Sequence, residues 1–101
     1  MFFVLRRLIK VGQVLSKSAS AGFNEKQDAL VTVNSSAPGT GIIVHLTSNV
    51  KHQYGKHMEK VIQDTIIAKG FTDIIVDVVD KGAWDYTLKA RVESALERGM
   101  K

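Results

Sequence analysis

The sequence predicts a small α+β domain, a three-stranded mixed sheet with two helices on one face, in the order β-β-α-β-α after a possible short N-terminal helix. Three observations carry this reading. Short apolar, β-branched runs at 29–33, 42–46 and 71–79 have strand length and composition. Apolar residues recur at helical spacing between 54 and 66 and again between 84 and 96. A chain of 101 residues has room for one modest core and no second domain.

Residues 2–16 place Val4, Leu8, Val11 and Leu15 on one helical face, with Arg6, Arg7, Lys10 and Gln13 elsewhere. This predicts a short helix that docks on its own domain or on a partner. A membrane contact of this basic N-terminus is not expected, because fifteen residues with one weak apolar stripe bind lipid poorly. Residues 1–18 therefore read as a basic extension, and 19–101 as the domain. Ser16 to Asp28 is polar, rich in Ser, Ala and Gly and without periodicity, which predicts an exposed linker.

Ala29–Val33 and Ile42–Leu46 are predicted strands, separated by the turn residues Asn34 to Gly41, so an antiparallel hairpin is expected. From Ser48 the period changes: Tyr54, Met58, Val61, Ile62, Thr65 and Ile66 define a helix, with Ser48 or Asn49 as its cap and Gly70 at a left-handed end. Phe71–Val79 is the third strand, with Ile74, Val76 and Val78 facing the core. A right-handed crossover makes it parallel to the second. Trp84, Leu88, Val92, Ala95 and Leu96 form the stripe of the last helix, with Asp85 in its first turn, where the helix dipole favours an acid. A strand over Trp84–Leu88 is the less favoured alternative.

Charge is unevenly placed. Of 14 Lys/Arg, four lie in residues 1–24, which hold no acid; the other ten face all ten Asp/Glu. The net +4 describes a basic tail on a neutral body, so a nucleic-acid partner is not expected. With no cysteine, the chain has no disulfide, no thiolate metal site and no thiol nucleophile of its own. Ala19-Ser20-Ala21 looks like a signal cleavage site, but Arg6, Arg7 and Lys10 follow the apolar start instead of preceding it, and a cytoplasmic protein is expected.

Few motifs suggest chemistry. Gly39-Thr40-Gly41 lies between strands and opens no helix, so it reads as a turn and not a phosphate loop. His52 and His57 are five apart, which misses the i, i+4 spacing of helical metal ligands; no metal site is expected. His45 is expected to face solvent, as are Asp73, Asp77, Asp80 and Asp85, and Trp84 and Tyr86 are read as packing of the last helix. No Ser–His–Asp set or stacking surface emerges. The residues themselves predict a protein without catalytic machinery.

One stretch is more specific than its physics. Asp80-Lys81-Gly82-Ala83-Trp84-Asp85, running into Lys89-Ala90-Arg91-Val92-Glu93-Ser94-Ala95-Leu96-Glu97-Arg98, resembles the C-terminal block of the citrate lyase acyl carrier (gamma subunit) family. Leu46 to Lys56 is similar to that family's L-x-S-x-V-x-x-x-F/Y-G segment, and Ala19 to Asp28 to its A-x-A-G-T-x-E-S-x-D segment. The resemblance spans about residues 19–100.

The resemblance implies a non-catalytic carrier in a lyase complex. Its prosthetic group would be a phosphoribosyl-dephospho-coenzyme A arm, held by a phosphodiester to the motif serine and bearing acetyl or citryl as a thioester. Its partners would be the citrate lyase alpha and beta subunits, which exchange citrate onto the arm and cleave it to oxaloacetate, and the transferase that installs the arm. The arm needs an exposed, flexible attachment point from which it can visit two active sites.

Here the motif departs. Gly22, Glu25 and Asp28 match, but Lys26 occupies the attachment position, Phe23 replaces Thr, and Asn24 an apolar residue. An amine cannot form the phosphodiester. Three readings follow: a degenerate carrier without an arm; attachment relocated to Ser18 or Ser20, to Ser16, or to Ser35 or Ser36 in the turn; or a repurposed interaction module without a prosthetic group.

Overall fold

The computed structural model describes residues 13–48 and 50–101. The strands are β1 (Ala19–Ala21), β2 (Ala29–Ser35), β3 (Ile42–Ser48) and β4 (Ile74–Asp80), and the helices are α1 (Lys51–Ala68) and α2 (Asp85–Gly99). The helix expected over residues 2–16 lies largely outside the described residues; Gln13 to Ser18 is not helical.

The sheet order is β1-β2-β4-β3. The class matches the expectation, with a fourth strand added. Two other expectations are corrected. The presumed linker contributes β1, which pairs antiparallel with β2 in the register Ala19 to Val33 and Ala21 to Val31. And β2 and β3 do not form a hairpin, because β4 lies between them, antiparallel to β2 and parallel to β3 as the crossover rule requires. The cause is the composition of β4: Ile74-Ile75-Val76-Asp77-Val78-Val79 is nearly continuous in apolar residues and gains most as the central strand. Residues 36–41 therefore cross the start of β4, pinned there by Asp73, whose Oδ1 accepts from Gly41 N at 2.9 Å and whose carbonyl accepts from Ser36 N at 3.3 Å.

Alternation puts one residue in two under the helices. Val31 and Val33 of β2, Ile74, Val76 and Val78 of β4 and Leu46 of β3 are buried with Ile62 and Ile66 of α1 and Leu88, Val92, Ala95 and Leu96 of α2. The helix α2 lies over β1 and β2, α1 over β3, and the two helices touch. Lys69 Nζ, just past α1, donates to Glu97 Oε1 of α2 at 2.9 Å. As expected, Gly70 turns the chain out of α1 with φ +87°.

Small residues let α2 settle on the edge of the sheet. Leu15 is buried, and Ser16 N donates to Gly99 O at 2.7 Å, so the segment before β1 threads past the end of α2. A Cβ on Gly99 would stand 2.6 Å from Leu15 Cδ2 and 3.0 Å from Lys17 O. Replacing Gly99 with Ala should therefore destabilise by about 1 kcal/mol, overpacking outweighing the better helix propensity. Urea denaturation of the full chain checks this, and a stabilised variant would show that the segment yields freely.

Candidate functional site

Three connections gather at one end of the sheet. Because β2 begins where β4 and β3 end, the β1–β2 loop (residues 22–28), the β3–α1 junction and the β4–α2 turn are neighbours. The 36–41 connection is at the opposite end.

The β1–β2 loop is held at its base and open at its tip. Gly22 has φ +91°, and a Cβ there would lie 1.9 Å from Ala29 O, so the chain can leave β1 only as glycine. Asp28 closes the loop. Its Oδ1 accepts from Arg91 Nε at 2.9 Å and its Oδ2 from an Arg91 terminal nitrogen at 3.0 Å, a bidentate pair. The same Oδ1 accepts from Ala29 N at 2.7 Å. The Arg91 guanidinium, with that backbone N–H, holds the Asp28 carboxyl below the usual carboxylate range, and Asp28 in turn raises Arg91. Gln27 N donates to Lys81 O at 2.8 Å and Lys81 N to Asp28 O at 2.9 Å, which ties the loop to the β4–α2 turn.

At the tip, Asp28 N donates to Glu25 O at 3.1 Å, closing a turn with Lys26 and Gln27 at its centre; Gln27 accepts φ +61°. Glu25 and Lys26 are exposed, and among the described residues Lys26 makes no ion pair.

The expected site residues thus separate. Gly22, Glu25, Lys26 and Asp28 share one loop. Ser20 is exposed on β1 between the inward Ala19 and Ala21, Ser18 lies at the far end of that strand, and Ser16 lies against α2. Ser35 and Ser36 are at the other end of the sheet, where Ser36 Oγ is buried.

The β4–α2 turn rests on a residue expected to be solvated. Asp80 is buried; it accepts from Ser48 Oγ and Ala83 N, both at 2.9 Å, and from Gly82 N at 3.2 Å. Its position on the inward face, opposite Ser48, forces burial, and these donors satisfy it. Ser48 is not a helix cap either. Its hydroxyl accepts from Val50 N at 3.2 Å, while Val50 is the residue before α1 and makes no side-chain cap; Asn49, the other expected cap, lies outside the described residues.

Trp84 and Tyr86 are a further correction. They do not pack α2; they are 63% and 72% exposed and, with Tyr54, Val50, Met58, His57 and Ala83, line a cavity of about 500 Å³ between the first turns of α1 and the β4–α2 turn. The stripe of α2 begins at Leu88 because Trp84 is the residue before the first turn, outside the helical period. His57 Nε2 contacts Asp85 Oδ2 at 2.5 Å on the rim, and His45 Nδ1 contacts Asp77 Oδ1 at 2.9 Å on the outer face of the sheet. Among the described residues no cluster of three His, Cys, Asp or Glu could hold a metal, and no helix is long and apolar enough to cross a membrane.

With this geometry in view, the similarity to known proteins becomes specific. A family model described as "ACP: Malonate decarboxylase delta subunit (MdcD)" matches residues 16–99. The chain belongs to this acyl carrier family. Carrier relatives named "Citrate lyase acyl carrier protein" include one from Halothermothrix orenii, 39% identical over 86% of this chain and 90% of its own. Others are from Fusobacterium nucleatum, 40% identical over 84% and 89%, and Streptococcus mutans, 43% identical over 83% and 81%. The fold is shared with a chain in the crystal structure of a Pseudomonas malonate decarboxylase hetero-tetramer in complex with malonate. That match has a TM-score of 0.63 and 22% identity, covering 89% of this chain and 91% of that one. Acyl carriers of this family bear a prosthetic group and serve as subunits of larger enzymes. The loop here fits such a group in exposure and in the firmness of its base. It does not fit in the attaching atom, because the tip offers an amine where a phosphodiester needs a hydroxyl.

The motif residues were visible in sequence; their anchor was not. Arg91 lies 63 positions from Asp28, inside the Lys89-Ala90-Arg91-Val92-Glu93 block, and only the chain's return over β1 brings the two together. The one signal was that both segments resemble the same family.

Proposed function

We propose that this chain is the non-catalytic acyl carrier subunit of a citrate lyase complex. It presents a thioester on a phosphoribosyl-dephospho-coenzyme A arm to the alpha and beta subunits, which convert citrate to acetate and oxaloacetate. The observation that carries this reading is the β1–β2 loop: Gly22, Glu25 and Asp28 are retained, and each of the loop's anchors holds its base while leaving the tip exposed. The relatives' shared name supports a carrier over a repurposed module.

The Tyr54–Trp84–Tyr86 cavity borders the β4–α2 turn, which Lys81 ties to the loop, so an enzyme subunit that receives the arm covers it as it docks. Exposed Trp and Tyr side chains are the usual anchors of such contacts. Trp84→Ala should weaken binding to the lyase subunits by about 10-fold or more, measured by titration against the assembled alpha and beta subunits, with the folded state unchanged. Undiminished binding would move the docking face elsewhere.

Reconstitution tests the function itself. Alpha and beta subunits from the same host should release oxaloacetate from citrate only when this chain, purified from that host, is added. Activity without it, or none with it, overturns the assignment.

A further inference from the structure

The cavity between α1 and the β4–α2 turn combines aromatic walls with negative charge. Tyr54 from the first turn of α1, Trp84 from the residue before α2 and Tyr86 from the first turn of α2 all line it, and all are exposed. Two carboxylates join them. Asp80 is buried and accepts from neutral donors, the Ser48 hydroxyl and the N–H groups of Gly82 and Ala83. Asp85 stands on the rim, 62% exposed, where its Oδ2 meets His57. Among the described residues no Lys or Arg lines the cavity. At neutral pH the lining charge of these residues is therefore −2 with His57 neutral and −1 with His57 charged.

These groups select their occupant. An apolar side chain would gain from the rings but would cover the Asp85 carboxylate without offering it a donor, which is costly. A phosphate or carboxylate would meet like charge. A guanidinium suits every group present. It stacks on Trp and Tyr faces, its fork of N–H donors reaches a carboxylate, and it is more weakly hydrated than an ammonium. The volume of about 500 Å³ is within the roughly 300–1,000 Å³ of cavities that enclose a ligand.

We propose that this cavity is an arginine receptor: an arginine side chain of the docking lyase subunit inserts among Tyr54, Trp84 and Tyr86 and pairs with Asp85. Arg, Trp and Tyr are also the residue types that dominate the energetics of protein interfaces. The proposal rests on the docking described under the proposed function for the partner's identity, and adds the chemistry of that partner's anchor.

Two measurements test it. Trp84 is the chain's single tryptophan, so its fluorescence reports on the cavity directly. The full chain is titrated with an acetylated arginine amide and with its citrulline counterpart, which has the same shape and no charge. The expected result is a saturable change in emission that needs at least about 5-fold less arginine than citrulline, with Asp85→Asn removing the difference. Equal responses to the two probes, or none, overturn the proposal and leave the carrier function standing. The second measurement is binding to the assembled alpha and beta subunits. Trp84→Leu, which keeps an apolar side chain and loses the ring, should weaken binding by about 10-fold, and Trp84→Phe by less. Asp85→Asn should weaken it and reduce its dependence on salt. Binding by Trp84→Leu as tight as wild type overturns the proposal, the occupant then being an apolar side chain. If the wild type itself does not bind the subunits, the docking reading falls, and the arginine titration alone decides what the cavity accepts.

Discussion

Gly22→Ala is expected to cost the domain about 3 kcal/mol or more, seen as a fall of roughly 12–24 °C in the melting temperature of the full chain. Two costs add. The residue has φ +91°, a region that any side chain enters at a penalty of about 1–2 kcal/mol. The new Cβ would also lie 1.9 Å from Ala29 O and 3.0 Å from both Ala29 C and Arg91 Cδ. Ala29 O is backbone of a fully buried strand residue and cannot move aside, so β1 must detach or the loop must be rebuilt. Either change displaces Asp28 from Arg91. An unchanged melting temperature would show that the loop is not seated on β2 as described. With a total stability of about 5–15 kcal/mol expected for such a domain, the loss would be felt in the folded fraction as well.

Breaking the clamp should damage function more than stability. Asp28→Asn keeps the shape but loses the charge, and Arg91→Ala removes the fork. Arg91→Ala leaves the loop tethered to its neighbours by the Lys81 backbone bonds, and Asp28→Asn keeps one neutral oxygen to accept from Arg91 and loses the second arm of the fork. Installation of the arm should slow by roughly 100-fold, since a displacement of about 1 Å at an attacking group can cost that much. Stability should fall by only about 1–2 kcal/mol, because the pair is partly open to water, with Asp28 16% and Arg91 35% exposed. Arm transfer followed by mass, beside urea denaturation of the same variants, separates the two effects; full-rate transfer to Asp28→Asn would make the clamp irrelevant to presentation.

The clamp also leaves a signature in pH. The folded-state pKa of Asp28 is depressed below 3.8, chiefly by the hydrogen bond from Arg91. A depressed carboxylate stabilises the fold above its unfolded value and loses that contribution as pH falls through the folded one. The wild type should therefore lose stability progressively below about pH 4, and Asp28→Asn should lose less over the same range. Asp73, lowered by the N–H of Gly41, and Glu97, lowered by Lys69, act in the same direction, so the acid limb of the variant is shallower but not flat.

Local pattern was enough for the elements and not for their neighbours. The helices α1 and α2 and the strands β2, β3 and β4 follow from apolar period and turn residues near Ala29, Ile42, Gly70 and Asp85. The three residues of β1, Ala19-Ser20-Ala21, have no strand propensity to speak of; they become a strand because Ala21 fits beneath α2 and Val31 offers a partner. Whether β2 pairs with β3 or with β4 is decided by which strand gains most from the centre of the sheet, and the turn chemistry of residues 37–41 suits either outcome. Asp80 and Trp84 mislead for a related reason. A carboxylate looks solvated until Ser48, Gly82 and Ala83 are brought around it, and an aromatic looks like core until the helix starts one residue later.

For the site, Gly22, Glu25, Lys26 and Asp28 were all legible as a motif, while their geometry depends on Arg91, from the block that first indicates the family. That block therefore does more than pack: through one guanidinium it holds the loop from which, on the proposed function, the carrier presents its load.

The most direct test is the intact mass of this chain isolated within a citrate-cleaving complex from its own host. A single nucleotide-arm increment on the chain is predicted. An unmodified mass in a complex that still cleaves citrate would contradict the account.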